Sequence, residues 1–192
     1  MSDIVTEIRR QLFHMTNGTI IILVYLHWGK IVGIVLAILS LISLIVLKSK
    51  LYEKIGLIKL IIDLFEREEN LNNPGIGGIT FLIGMALTIV IFPPYVTLGG
   101  LIALTYGDAT STIVGKTIGK FKINLTGKKR TVEGCIGFIL GATIIGSIFT
   151  SIKISFLSGL IGCFIELVSP IDDNLTIPTF TSLTLWLLYV LT

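Results

Sequence analysis

The chain has 192 residues, of which 53% are hydrophobic and 14% charged, with a mean hydropathy of +0.92. A soluble domain carries roughly 25% charged residues, so this composition excludes an ordinary water-facing surface and predicts an integral membrane protein. The net charge of +3 is small and says little by itself, its distribution much more, and Cys135 and Cys163, both inside apolar runs, make neither a zinc-type spacing nor a disulfide framework. Glu7, Arg9, Arg10 and His14 interrupt the N-terminal region, and no small-residue cleavage site follows, so it does not read as a signal peptide.

A spanning helix needs about 20 residues, with a range of about 17–25. In chain order, the predicted spans are 12–28, 31–47, 76–92, 96–115, 134–150, 154–168 and a last one beginning after Pro178. The fold class is therefore all-α, a polytopic bundle of seven transmembrane helices forming one domain over 1–192. Between the second and third spans, 51–67 reads as an amphipathic helix at the interface, with Lys59–Asp63 and Asp63–Arg67 as i,i+4 pairs. Residues 66–73 then form a polar loop.

With a cytoplasmic N-terminus, Arg9, Arg10, Lys48, Lys50, Lys54, Lys59, Arg67, Lys116, Lys120, Lys122, Lys128, Lys129 and Arg130 fall inside. Lys30 and Lys153 fall outside. Every loop then obeys the positive-inside rule. The sequons at Asn17, Asn124 and Asn174 lie at or near the cytoplasmic side, which argues against glycosylation.

Asp108 is about 18 Å along its span at 1.5 Å per residue. A lone carboxylate inside hydrocarbon costs about 2.5–3.5 kcal/mol. Thr105, Asp108, Thr112 and Gly115 share a helical face, so Asp108 is predicted to face a cleft, as a metal ligand or catalytic group or as a structural acid satisfied by hydroxyls. Gly115-Lys116-Thr117 is not a P-loop, because Thr110 stands where that motif needs Gly and no strand precedes it. Lys116, Lys120, Lys128, Lys129 and Arg130, in the loop 116–133 with Glu133, read either as anchors on anionic lipid or as a polyphosphate site. Glu166 with Asp172-Asp173-Asn174 offers the oxygen donors that magnesium uses beside phosphate, or a turn before a helix near Pro178. Glu7, Arg10 and His14 share a face of the first helix, either as an ordinary interface pair or as an arm over the site. Gly134, Gly137 and Gly141 make a face for packing within the chain or between chains, so the oligomeric state is open.

Together these motifs resemble the CTP-dependent polyprenol kinase family, which includes dolichol kinases, phytol kinases and CTP-dependent diacylglycerol kinases. The resemblance rests on Glu7-Ile8-Arg9-Arg10 with His14 and Gly18, Gly77-Gly78, Gly107-Asp108-Ala109-Thr110-Ser111, Gly115-Lys116, Gly119-Lys120, Lys128-Lys129, Glu133-Gly134, and Glu166 through Pro178. It implies an enzyme that transfers the γ-phosphoryl group of CTP to a membrane lipid alcohol at the cytoplasmic leaflet. On this resemblance, Thr110, Ser111, Lys116, Lys120, Lys128, Lys129 and Arg130 bind the nucleotide. Asp108, Asp173 and Asn174 hold Mg²⁺ or another divalent cation. Asp108 with Glu133 or Glu166 forms the catalytic group, and Arg10 and His14 lie over the substrate. The implied partners are the bilayer, the lipid alcohol and CTP, with no nucleic acid. The implied location is the cell membrane of a prokaryote or an ER-type membrane of a eukaryote. A CDP-lipid-forming cytidylyltransferase and a small transporter or flippase are the alternatives.

Overall fold

The computed structural model describes residues 2–65 and 74–191, with the side chains of residues 2, 3, 61–63 and 65 excepted. Its helices are α1 (Ser2–Trp28), α2 (Ile31–Lys48), α3 (Gly56–Phe65), α4 (Ile76–Ile91), α5 (Pro94–Ile102), α6 (Ala109–Thr117), α7 (Val132–Gly146), α8 (Ile152–Val168) and α9 (Asp173–Leu191). The all-α expectation holds apart from one antiparallel hairpin, β1 (Lys122–Ile123) with β2 (Arg130–Thr131), in register Lys122↔Thr131. The expected Lys59–Asp63 and Asp63–Arg67 pairs and the 66–73 loop lie outside the described residues.

By length and composition, α2 and α9 are long and apolar enough to cross a bilayer, while α4 and α7 are apolar but shorter. The exterior of the bundle is rich in large apolar side chains, among them Ile45, Ile144, Ile148 and Phe164. The interior, by contrast, buries Thr97, Ser155, Ser158, Thr181 and Ser182. Small and hydroxyl-bearing residues let helix backbones approach closely, a packing mode also used by helices in bilayers, where apolar burial gives no drive. Gly134, Gly137 and Gly141 illustrate this. A Cβ on any of them would meet α6 or its flank, down to 2.1 Å from Thr110 Oγ1 for Gly141, so that glycine face packs within the chain.

Two sequence expectations need correction. The fourth span is not a regular helix. Between α5 and α6, Ala103–Asp108 form a π-helical turn, buried throughout. A π turn shifts the residues on either side out of the 3.6-residue phase, and such turns are frequent at functional sites. The face predicted for Thr105, Asp108, Thr112 and Gly115 is therefore broken just before Ala109. The last helix starts at Asp173, not after Pro178. Asp172 Oδ1 accepts the Asn174 N–H at 2.8 Å and the Asp172 carbonyl accepts from Leu175 and Thr176, which satisfies the first turn. Pro178, lacking an N–H, leaves the Asn174 carbonyl without its helical donor. Gly84 of α4 occupies the space over that carbonyl, where a Cβ would come within 1.9 Å.

The Glu7–Lys116, Arg130–Asp173 and Asn174–Gly77 contacts at one end and the Lys30–Val90 contact at the other imply helices that alternate in direction, so one end of the bundle collects α1's start, the α6–α7 hairpin and the α8–α9 turn. At the other end Lys30 donates to the Val90 carbonyl, and Tyr95 packs on Tyr189 with ring centres 4.4 Å apart.

Candidate active site

The first end carries the charge, and Arg130 on β2 is its centre. Its Nη1 lies 3.1 Å from Glu166 Oε1 on α8, and its Nη2 pairs with Asp173 Oδ2 at the start of α9. Lys128, two residues earlier, holds the other Asp173 oxygen at 2.8 Å and also donates to the Ile171 carbonyl. Ser111 on α6 lies 2.9 and 3.0 Å from the two Glu166 oxygens. Glu166 is fully buried and Asp108, at the end of the π turn, nearly so. Burial opposes the charge on Arg130, but Glu166, Asp173 and Asp108 together outweigh it and hold the guanidinium above its ordinary pKa. Three acids from three separate elements thus share one cation. Arg130 Nε remains buried with no partner among the described residues, a donor left over for an anion.

The hairpin exists to make this reach possible. Gly127, at φ +77°, turns the tip, and Thr126 donates to the Leu167 carbonyl at 3.4 Å, so the loop folds back over the α8–α9 turn. Thr131 Oγ1 caps α7 by accepting the Gly134 N–H at 3.0 Å. A Cβ at Gly119 would meet the Gly115 carbonyl at 2.2 Å, so the two glycines ahead of Lys116 and Lys120 serve a tight exit from α6.

A second cluster flanks the first across α6. Glu7 on α1 is buried and accepts from Arg10, from Gln11 at 3.0 Å and from Lys116 at 2.6 Å. Lys116 therefore faces α1 and not the Arg130 cluster. His14 Nε2 donates to the Leu104 carbonyl in the π turn at 3.1 Å, and its ring packs on Phe81, so it braces the turn that carries Asp108. Arg10 and His14, expected over the substrate, are thus engaged with Glu7 and the π turn.

The remaining expected residues are dispersed. Thr110 is directed at the Tyr106, Gly107 and Gly137 carbonyls and joins the π turn to α7. Glu133, at the surface, accepts from the Phe121 N–H at 3.3 Å, outside the Arg130 cluster. Its pKa is held down chiefly by its own backbone N–H, against an opposing desolvation, with the Lys120 and Phe121 N–H groups and the Lys120 charge adding to the lowering. Lys120 and Lys129 are exposed. Asn174 donates to the Gly77 carbonyl and Thr80 Oγ1, and Thr80 in turn donates to Asp172 at 3.2 Å. Asn174 thus ties α9 to α4. Sequence reasoning did not single out Gln11 or Thr80; one uncharged polar residue in an apolar helix gives no signal without its partner.

Among the described residues no three metal-ligating side chains converge into a preformed site. Asp108 and Asp173 nonetheless share Arg130 as a neighbour. One or two carboxylates are what magnesium takes from a protein when a nucleotide brings it, since its other ligands come from phosphate and water. The chemistry of the donors fits such an ion.

The chain is 28% identical to CTP-dependent diacylglycerol kinase 1 of Schizosaccharomyces pombe, in an alignment covering 64% of this chain and 63% of that protein. The chain thus matches less than two thirds of its relative's length. No family model matches the chain. No solved structure matches it either.

Proposed function

We propose that this protein is a CTP-dependent lipid kinase of the bilayer, acting at the cytoplasmic face on a membrane alcohol. The observation that carries the reading is the Arg130 cluster, a half-buried cation paired with Glu166 and Asp173 and felt by Asp108, at the mouth of an apolar bundle. The similarity to a CTP-dependent diacylglycerol kinase supports CTP as donor and favours diacylglycerol over a polyprenol as acceptor. The seven-span arrangement, with the charged end inside, is part of the same proposal; the alternating helix directions and the position of Lys30 at the opposite end support it.

In this reading the triphosphate enters from the cytosol between the hairpin and the α8–α9 turn. Lys128 and Arg130 exchange their hold on Asp173 for the phosphates, and the unpartnered Arg130 Nε adds a donor. Lys120 and Lys129, exposed on the same loop, add positive potential. Asp108 and Asp173, released from Arg130, would hold the magnesium that neutralises charge on the phosphates. The acceptor oxygen attacks the γ-phosphorus, the bond from that phosphorus to the β-bridging oxygen breaks, and CDP leaves. Glu166, inside the cluster, takes the hydroxyl proton, and Ser111 keeps its carboxylate oriented. Positioning and charge stabilisation supply most of the rate.

The test is the purified full chain with γ-labelled CTP and a panel of lipid alcohols in lipid nanodiscs. CDP with a labelled lipid monophosphate supports the kinase. Pyrophosphate with a CDP-lipid would replace it by a cytidylyltransferase, and lipid movement across vesicles without nucleotide by a flippase.

A further inference from the structure

Beside the charged end, α8 and α9 pack against each other along part of their length. They leave a lateral groove of about 620 Å³, within the range of about 300–1,000 Å³ that holds a small-molecule ligand. Its walls are apolar, with Phe164 from α8 and Phe180 from α9, and its floor is the Ser169–Ile171 turn. On α9 the lining residues Thr176, Phe180 and Thr184 recur every four positions, so the groove follows the helix as one stripe. Eight residues of helix make it about 12 Å deep. Half of a hydrocarbon core about 30 Å thick is about 15 Å. With α9 crossing the bilayer as proposed, a groove of that length spans most of one leaflet.

Its inner end meets the charged site. The Ile171 carbonyl that floors it accepts from Lys128, and Asp173 begins the next turn. An apolar slot that ends at Lys128 and Arg130 is complementary to an amphiphile whose apolar tail is one leaflet long and whose head becomes anionic on phosphorylation. We infer that this groove binds one acyl chain of a diacylglycerol and places its free hydroxyl at the Lys128–Asp173 pair. The inference rests on the lipid-kinase reading for the identity of its ligand. An acyl chain matches the depth of one leaflet, whereas a long polyprenol would overrun it.

The test uses the full chain in phosphatidylcholine nanodiscs with a diacylglycerol carrying a diazirine at mid-chain, with no CTP added. Adducts are mapped by mass spectrometry with and without excess dioleoylglycerol, and a diazirine phosphatidylcholine reports ordinary lipid contact. Adducts on Phe164, Phe180 and Thr184 that dioleoylglycerol suppresses, and that the phosphatidylcholine probe does not reproduce, are the expected result. Thr184→Trp, which fills the slot, should cut the suppressible labelling about tenfold and raise KM for diacylglycerol while leaving KM for CTP unchanged. Leu160→Trp fills it from α8 and serves if the first variant does not fold. Suppressible adducts mapping elsewhere, labelling unchanged in both variants, or suppression by a polyprenol but not by dioleoylglycerol would each overturn the inference. Because labelling needs no nucleotide, the two readings fail separately. Suppressible groove labelling without phosphoryl transfer would remove the kinase and leave a diacylglycerol site, and phosphoryl transfer without groove labelling would do the reverse.

Discussion

Arg130 is held by charges that must be removed together. Glu166 is fully buried and Asp173 partly so, and both lean on the same guanidinium. Taking away the cation alone strands two acids, and breaking a buried pair from one side costs about 3–5 kcal/mol. Arg130→Ala should therefore lower the melting temperature on the order of 10 °C and abolish phosphoryl transfer. Neutralising the acids as well, in Arg130→Ala/Glu166→Gln/Asp173→Asn, should restore most of the melting temperature and none of the activity, since double-mutant logic separates the shared stability from the shared chemistry. Thermal unfolding in detergent beside the CTP assay reads both. A triple variant no more stable than Arg130→Ala would mean the acids are not the partners that matter. In the sequence, Arg130 was one of five cations in a loop. The loop's length and charge were legible, but its role as the centre depends on β1 and β2 folding the chain back by some forty residues to α8 and α9, a long-range pairing that local pattern does not encode.

At the scale of the elements, helix existence was legible and helix phase was not. The apolar runs of α2, α4 and α8 stand close to their expected bounds, because length and hydropathy are local properties. The π turn at Ala103–Asp108 was invisible, because what permits it lies on other helices. Gly18 of α1 sits so close that a Cβ would lie 2.4 Å from Thr105 Oγ1, and a Cβ on Gly107 would lie 2.2 Å from Phe138 on α7. His14 and Thr19 add polar contacts to Leu104 and Tyr106. The turn is thus clamped between α1 and α7, and Asp108 is aimed by that clamp. Overpacking it with Gly107→Ala should cost about 1–3 kcal/mol and reduce kcat more than KM for CTP, because the displaced group is the carboxylate and not the basic loop. Phe138→Leu in the same chain should recover part of both. Gly107→Ala with unchanged kcat would show that the turn's position is not what orients Asp108.

At the scale of the whole molecule, charge and hydropathy act as one constraint. Acids and bases gather at one end because the helix directions alternate, and the Lys116–Glu7 and Arg130–Asp173 contacts then join elements far apart in the chain. Lys30, one of the two outlying cations, fits the same rule, at the opposite end beside Val90. A bilayer would reinforce this sorting, since retained basic residues favour the cytoplasmic side. If the chain makes the seven proposed crossings, Ser2 and Leu191 lie on different sides of the membrane. In a background where Cys135 and Cys163 are replaced by alanine, single cysteines at Ser2, Lys129 and Leu191 report the three relevant positions. In intact cells a membrane-impermeant maleimide should label Leu191→Cys at once, and should reach Ser2→Cys and Lys129→Cys only after permeabilisation. Labelling of Ser2→Cys and Leu191→Cys from the same side would require an even number of crossings. The charged end could then no longer be placed in the cytosol by the distribution of Lys and Arg, and the supply of CTP to Arg130 would need another route.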